Sequence, residues 1–555
     1  MRSTIGNAGL VLGCLLLSMG AKAQGASKQD QVLDQVIANE RALAQALEQH
    51  RPLVETYIQT VKPDPTLGSV PVRDHYFFWR LQMGTPAATP ATQEPPKKKK
   101  NKTSLSLFEA FHSQTFRPEG FARMLILDRG SFDRQNYVFE FVRAEFLGEV
   151  RTLVFDVAPT AERVRSNKRD GGFTGRLWVE DQDYHVVRYN GVYASVLSPG
   201  FHFDCWRMNL APGLWLPSYV YTEEAERAEK HLELTHRGQT RIWGYDVGPA
   251  GADDEFTKVL VEDMQAKDTV ESPGMVSPVE SARAWQGEAE ANVVRRLERS
   301  GLLAPSGDVD RVLETVVGNL EATNNLTLDP PVRCRVLLTT PLESFTVGRT
   351  IVLSRGLIDV LPDEASLAMV LAHELGHVLE GHRLDTRYAF GDRVLIGDQQ
   401  AMEEFVFTRD PAEEAQADAR AVALLSASPY KDKLAGAGLF LKALSLRSTS
   451  LPSLIRPHFG SQMANQAGPF RMHEIAKSAP ELDLGSLEQT AALPLGSRIK
   501  VDPWSARIEL MKTSRTQLLS AREKMPFQIT PLMPFLARYG QAPAKPVEEA
   551  ARRGE

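Results

Sequence analysis

Cysteine, net charge and long apolar runs are all scarce in this 555-residue chain. The 64 Lys and Arg residues nearly balance the 70 Asp and Glu residues, and the formal net charge of -6 gives nucleic-acid binding no compositional support. Beyond the N-terminus no apolar run reaches the length of about 18 residues that spans a membrane. Cys205 and Cys334 could pair, but they lie in segments that we assign to different domains, so we expect two separate buried thiols.

The N-terminal residues MRSTIGNAGLVLGCLLLSMGAKA have the pattern of an export signal. Arg2 precedes an apolar core at residues 9–19, and Ala21-Lys22-Ala23 forms a small-x-small cleavage pattern. We therefore expect a signal peptide at residues 1–23 and a location in the periplasm or cell envelope. Two alternatives stay open, namely an uncleaved membrane anchor and a lipoprotein signal that uses Cys14.

Composition divides the next part of the chain into two segments. Apolar residues at helical spacing predict an N-terminal helical segment at residues 24–84. Residues 85–104 are rich in proline and lysine, have little to bury and are predicted to be a linker. The lysine run 97–100 could make a peripheral contact with an anionic membrane, although a solvated loop is the favoured interpretation.

Residues 105–250 carry aromatic and β-branched runs separated by Gly, Pro, Asn and Asp, a pattern that predicts antiparallel strands. The stretch GRLWVEDQDYHVVRYNG is similar to the curved β-sheet of periplasmic lipoprotein-sorting proteins. That resemblance implies a surface for a hydrophobic or lipoprotein partner. The alternative is a structural β-domain that presents substrate. Residues 251–281 are predicted to be a second linker, after which helical patterns return.

The stretch VLAHELGHVLEGH at residues 370–382 contains the first candidate site. His373 and His377 are four residues apart, so both imidazoles project from one face of a helix and can hold one zinc ion. Glu374 lies one position round the helix and can take a proton from a metal-activated water without being a ligand. Apolar neighbours favour a buried site over the alternative of two solvent-exposed histidines.

A catalytic zinc needs a third protein ligand. A histidine six residues after His377 is excluded because Arg383 stands there, and His382 is expected to be a surface residue or one that supports a ligand. The later stretch DPAEEAQADARAVALL instead offers Glu414 as the third ligand. Asp418, four residues on, can hydrogen-bond a ligating histidine and set its tautomer. Glu413 is the alternative ligand.

Together, HELGH at 373–377 and EAQAD at 414–418 resemble the zinc site of the HtpX-like and CAAX-prenyl-protease-like metallopeptidases, peptidase family M-48. The resemblance covers roughly residues 285 to 480 and includes ESFTVGRTIVLSRGLIDVL, in which Glu343 replaces the family's Asn. It implies one Zn²⁺ per chain and a protein or peptide substrate. It also implies that the strand Thr350–Ser354 is an edge strand that binds the substrate backbone.

The stretch NQAGPFRMHEIAKSAPEL contains Arg471 and His473 but lacks the His-Pro pair that relatives often carry. Arg471 matches the family's arginine, and either residue could stabilise a developing oxyanion. The alternative for Arg471 is a cationic surface residue. Residues 481–555 form a C-terminal extension that we expect to pack on the rest of the protein.

These features predict an α+β multidomain protein, in which a mainly antiparallel curved β-sheet domain precedes a mostly helical zincin-type metallopeptidase domain at residues 282–480. The predicted function is that of an exported zinc metalloendopeptidase acting in envelope protein quality control. The alternative is a periplasmic lipid- or lipoprotein-binding or chaperone-like protein whose peptidase domain is a scaffold. A membrane-embedded prenyl protease is disfavoured, because the sequence has no further spanning runs.

Overall fold

The computed structural model describes residues 28–47, 50–64, 68–80, 121, 124, 126–127, 131–166, 172–193, 201–228, 231–245, 278–383, 405–465, 467–483, 499–501 and 508–510. The predicted signal peptide, the first linker and most of the C-terminal extension lie outside these residues. Among the described residues, none of the helices combines the length and the apolar character needed to span a bilayer. The domain boundaries drawn from the sequence stay predictions.

A nine-stranded antiparallel sheet dominates the N-terminal half, with the strand order β2-β1-β9-β8-β7-β6-β5-β4-β3. Its strands are β1 (Leu53–Asp64), β2 (Gly68–Arg80), β3 (Tyr137–Leu147), β4 (Val150–Pro159), β5 (Phe173–Glu180), β6 (Val186–Tyr193), β7 (Phe201–Ala211), β8 (Leu214–Ala228) and β9 (His231–Trp243). In the part of this half that the structure describes, the sheet is accompanied by the helices α1 (Lys28–Leu47) and the short α2 (Ala161–Ser166). The apolar side of α1 joins a core on one face of the sheet, where Glu40 pairs with the buried Arg207 at 2.7 Å.

Strands β1 and β2 correct one expectation from the sequence. Among the described residues of the segment 24–84, Lys28–Leu47 is helical, whereas Leu53–Asp64 and Gly68–Arg80 form β1 and β2, which join the sheet beside β9. Both strands are rich in β-branched and aromatic residues, which favour a sheet. Their neighbour β9 comes far later in the chain, so the pairing that completes this end of the sheet is not visible in the local pattern.

The C-terminal half is mostly helical and is built around one large apolar core. Its helices are α3 (Pro278–Arg299), α4 (Asp308–Thr323), α5 (Arg355–Val360), α6 (Glu364–Leu379), α7 (Pro411–Ser426), α8 (Leu434–Arg447), α9 (Pro452–Ile455) and α10 (His473–Ser478), with a 3-10 turn at Lys431–Lys433. Its strands are β10 (Arg333–Leu337), β11 (Ser344–Val347), β12 (Thr350–Ser354), β13 (Ala464–Asn465), β14 (Gly468–Pro469), β15 (Ile499–Val501) and β16 (Ile508–Leu510). The predicted α+β fold class is confirmed. Cys205 and Cys334 are both buried and unpaired, as expected.

The small sheet beside α6 has the order β10-β12-β11, so the expected edge strand is wrong. Thr350–Ser354 is the central strand, paired in parallel with β10 and antiparallel with β11. Within the described part of the chain β10 and β11 are the two outer strands, and β11, Ser344–Val347, is the one that lies next to α6. The two strands form a tight hairpin through Gly348, at φ 58°, and both are buried, so their composition does not tell which one is outermost.

The large sheet contacts the peptidase half at its β2-β1-β9 end. Glu55 on β1 accepts from the Thr340 hydroxyl at 2.8 Å and from Arg241 Nη1 at 3.0 Å. Asp74 on β2 accepts from the backbone N–H groups of Ser453 and Leu454, both at 2.8 Å. Buried carboxylates therefore fix the two halves of the molecule together.

Candidate metal centre

Helix α6 buries the histidine motif almost completely. Its first turn is capped by Asp363, whose carboxylate accepts from the Ser366 N–H at 2.8 Å. Its apolar residues join the large core, and the side chains of His373, Glu374 and His377 project from the same buried helix with only 1% exposure each. The alternative of two solvent-exposed histidines is therefore wrong.

Three side chains converge on one point beside α6. His373 Nε2 lies 3.2 Å from His377 Nε2 and 3.1 Å from Glu414 Oε2, and His377 Nε2 lies 4.0 Å from Glu414 Oε2. A tetrahedral zinc ion with its usual bond lengths of about 2.0 to 2.1 Å holds neighbouring ligand atoms about 3.3 Å apart. The trio fits such an ion, with two nitrogen ligands and one oxygen ligand as zinc prefers. Glu413, the alternative ligand, instead faces Arg409 at 3.8 Å.

The close approach of α6 and α7 makes this convergence possible. A side-chain carbon added at Gly376 would lie 2.7 Å from the backbone oxygen of Ala417, so the glycine is required for this helix spacing. Helix α7 begins at Pro411, and the preceding Asp410 caps it by accepting from the Ala412 N–H at 2.8 Å. The Asp410 cap fixes the start of α7, and the small residues Gly376 and Ala417 let the two helices approach closely. Glu414 therefore lies beside the histidine pair.

Asp418 orients the first histidine. One carboxylate oxygen lies 2.7 Å from His373 Nδ1, and the other accepts from the Met472 N–H at 2.7 Å. With Nδ1 donating to a carboxylate, His373 keeps its Nε2 lone pair for the metal. The same aspartate also fixes the segment that carries Arg471, because Met472 is the next residue.

Glu374 is held by two hydroxyl groups and one guanidinium. Its Oε1 accepts from Ser344 Oγ at 2.6 Å and Arg471 Nη1 at 2.9 Å, and its Oε2 accepts from Thr346 Oγ1 at 2.6 Å. Burial opposes ionisation of this carboxyl, but the Arg471 guanidinium, together with the hydrogen bond from Ser344, outweighs it and lowers the pKa of Glu374. Sequence reasoning missed Ser344 and Thr346, although hydroxyl residues two apart on a strand share one face.

Arg471 is a central residue of the site. It is only 3% exposed, and its Nε lies 2.9 Å from Glu414 Oε2, so the interpretation as a surface cation is wrong. Burial raises the pKa of Glu414, but Arg471 and His373 reverse this shift and lower that pKa well below its usual range. His473, by contrast, is exposed at the start of α10, and the structure does not bring it to the ligand trio.

The second histidine contacts His382. His377 Nδ1 lies 2.8 Å from His382 Nδ1, and His382 Nε2 lies 3.0 Å from Gln416 Oε1. Burial lowers the pKa of His377 to about 3, which keeps the ring in the neutral form that binds metals. The expected role of His382 as a residue that supports a ligand agrees with this contact.

The fold and this cluster define the class of protein: a metallopeptidase with a pair of histidines on one helix and a glutamate on a second helix. The family model of Peptidase family M48 matches residues 307–458, a range that contains all three ligands and Glu374. The chain thus carries a Peptidase family M48 domain at residues 307–458, a metallopeptidase domain whose candidate metal site of His373, His377 and Glu414 is consistent with zinc. None of the curated proteins matches the chain. The resemblance of the large sheet to lipoprotein-sorting proteins stays a prediction.

Proposed function

We propose that this protein is an exported zinc-dependent metalloendopeptidase that cleaves proteins of the bacterial cell envelope and acts in their quality control. The main support for this proposal is the convergence of His373, His377 and Glu414, with Glu374 ionised beside them. The pattern of residues 1–23 supports export to the periplasm. One zinc ion per chain is part of the proposal.

His373, His377 and Glu414 would hold the zinc. When bound there, zinc supplies an acidified water and a Lewis acid that polarises the scissile carbonyl. Glu374 serves as the general base, because its carboxylate is ionised and lies next to both metal-binding imidazoles. Ser344 and Thr346 fix the orientation of that carboxylate.

Arg471 supplies positive charge to the same site. Its Nη1 atom reaches Glu374 and its Nε atom reaches Glu414, so the guanidinium lies directly beside the reacting groups. A fixed cation in a buried site stabilises negative charge that develops during attack on a carbonyl. We therefore retain Arg471 as the oxyanion-stabilising candidate and do not retain His473.

In this proposal the substrate backbone adds to β11, the outer strand of the small sheet on the α6 side, by β-augmentation. Beyond its end at Val347 a groove of about 590 Å³ continues between α3 and the β11-β12 turn and reaches His382. The groove contains Glu290 on one wall and Arg333 and Arg349 on the other. Arg409 Nη2 donates to Thr346 O at 3.0 Å, so an extended peptide has to share or displace this contact.

A second candidate function, binding of a hydrophobic or lipoprotein partner by the large sheet, is favoured by β3. This strand ends the sheet within the described residues and leaves Val138, Phe141 and Phe146 exposed by 57%, 47% and 67%. A long apolar strand at a sheet edge is a template for pairing with another chain. The two functions are compatible, because the sheet could deliver partners to the peptidase.

The central test uses the full mature chain and its Glu374→Gln variant. We expect one zinc per chain in both proteins by elemental analysis. Hydrolysis of an unfolded protein substrate should fall by about 10³-fold or more in Glu374→Gln, because the general base is lost. The exposed Glu380, at the C-terminal end of the same helix, provides the control Glu380→Gln, which should keep full activity.

Two results would overturn the proposal: a folded wild-type protein that binds no zinc, or a Glu374→Gln variant that cleaves as fast as wild type. Export is tested separately, by sequencing the N-terminus of the protein recovered from the periplasmic fraction. Envelope substrates are tested by comparing new N-terminal peptides in cells that carry wild type or Glu374→Gln. Identical peptide sets would contradict the quality-control role.

A further inference from the structure

The two metal-binding histidines differ in what supports them. His373 donates to the carboxylate of Asp418, whereas His377 faces a second imidazole, His382, and through it the amide of Gln416. We propose that His382 and Gln416 are positioning residues that fix the tautomer of His377 for metal binding. This inference rests on the proposed zinc-dependent function.

The side chains of His377, His382 and Gln416 form a row of hydrogen-bonded groups, and hydrogen-bond chemistry determines where its protons lie. His377 Nε2 points at His373 Nε2 and Glu414 Oε2, so a metal-binding His377 carries its single proton on Nδ1. That proton is donated to His382 Nδ1, 2.8 Å away, which must therefore be unprotonated. His382 then carries its own proton on Nε2 and donates it to Gln416 Oε1 at 3.0 Å. Each ring is left with one tautomer.

The row ends at the protein surface. His377 is 1% exposed and His382 is partly buried, while Gln416 is exposed on α7. An amide oxygen on the surface thus determines which nitrogen of a buried ring is free for the metal. If the amide presented its NH₂ group instead, His382 would accept at Nε2, carry its proton on Nδ1 and oppose the metal-binding tautomer of His377.

Packing alone is the competing explanation. The rings of His377 and His382 meet edge to face with centroids 5.1 Å apart, a contact that phenylalanine could also make. The His382→Phe variant therefore keeps a ring at this place and removes both hydrogen bonds. The Gln416→Met variant keeps the length of the side chain and removes the acceptor, at an exposed position where folding is not at risk.

The test measures zinc affinity by competition with a chromophoric chelator, in the full mature chain carrying Glu374→Gln so that self-cleavage cannot interfere. Loss of a group that orients a metal-binding histidine weakens metal affinity by about 10- to 100-fold, and we expect this loss in His382→Phe. Gln416→Met should show a smaller loss. Gln416→Glu, which keeps an acceptor oxygen at this position, should stay close to the parent zinc affinity. The double variant Gln416→Met/Ala415→Glu, which has the glutamate at the neighbouring exposed position instead, should recover less of that affinity.

His202 in the large sheet supplies a matched control. It is partly buried, and its Nε2 lies 3.0 Å from the amide oxygen of Asn190, the same type of contact as that between His382 and Gln416. His202→Phe should leave zinc affinity unchanged. The thermal unfolding of the metal-free proteins shows whether either substitution acts on the fold instead.

Unchanged zinc affinity in His382→Phe would overturn this inference while leaving the proposed function intact. The same holds if zinc affinity falls only in proportion to a lowered melting temperature of the metal-free protein. A parent chain that binds no zinc would instead overturn the proposed function itself. The two failures are therefore distinguishable in one series of titrations.

Discussion

Two sets of buried carboxylates lie in opposite electrostatic environments. Glu374 and Glu414 face the guanidinium of Arg471, and this cation outweighs burial and lowers the pKa of both. Asp74 and Glu343 face neutral donors, mainly backbone N–H groups, and burial raises the pKa of each despite those hydrogen bonds. Burial alone therefore does not mark a catalytic carboxylate, and the charge of its partner makes the difference.

The carboxylates of the second set, Asp74 and Glu343, have a structural role. Glu343 Oε2 accepts from the N–H groups of His458, Phe459 and Gly460 at 3.0, 2.8 and 3.2 Å. Glu343 directly precedes β11, so it connects the strand that holds Glu374 to the segment 458–460. A carboxylate at this position offers two acceptor oxygens to the donors that surround it.

The largest effect on stability is expected from Arg471→Met. This change removes the cation that contacts both Glu374 and Glu414, and breaking a buried pair in this way costs about 3 to 5 kcal/mol. We expect that loss in the free energy of unfolding of the metal-free protein, measured with urea at neutral pH. Arg456→Met, at an exposed arginine, is the control. Equal unfolding free energies for wild type and Arg471→Met would show that the two sets do not differ as described.

A smaller effect is expected from Asp74→Asn. The substitution replaces one acceptor oxygen by an NH₂ group, which then faces a backbone N–H of Ser453 or Leu454. Leaving a buried donor unpaired costs about 1 to 3 kcal/mol, and no charge is stranded. Urea unfolding should therefore show a loss in the free energy of unfolding that is smaller than the loss in Arg471→Met. A larger loss would mean that Asp74 does more than accept hydrogen bonds.

The smallest effect is a difference in pH dependence between Glu343→Gln and Glu414→Gln. The raised pKa of Glu343 gives a contribution to stability that is full below the unfolded pKa of about 4.3 and is lost as pH rises through the folded pKa. The advantage of wild type over Glu343→Gln should therefore shrink with rising pH.

Glu414 should behave in the opposite way. Its pKa is lowered, so its contribution is present above the unfolded pKa and is lost as pH falls through the folded pKa. The advantage of wild type over Glu414→Gln should therefore grow between about pH 3 and pH 5. Unfolding of the metal-free proteins from about pH 3 to neutral pH covers the windows of both carboxyls, and slopes of the same sign would contradict the contrast between the two sets.

The three residues of the candidate metal site could be predicted from the sequence because the signals are local. His373 and His377, like Glu414 and Asp418, lie four residues apart, and a helix converts that spacing into a shared face. The hydroxyls that hold Glu374 could not be predicted, because the contact between β11 and α6 is non-local. The expectation that Thr350–Ser354 is an edge strand is wrong for the same reason.

The large sheet shows the same limit. Its antiparallel character could be predicted from composition, whereas β1 and β2 lie in a segment predicted to be helical, and their pairing with β9, distant in the chain, is not visible in the local pattern. Arg471 could be picked out by resemblance, but its burial between two carboxylates depends on Asp418 fixing Met472. Tertiary contacts, which no local pattern encodes, decided each of these cases.

The position of Arg471 late in the chain has a consequence for biosynthesis. A ribosome makes the histidine helix first, then the glutamate helix, and only afterwards the arginine that neutralises both acidic side chains. A nascent polypeptide that ends before this residue cannot assemble the complete cluster, whatever else has folded. The active site is therefore complete only after most of the polypeptide has been synthesised.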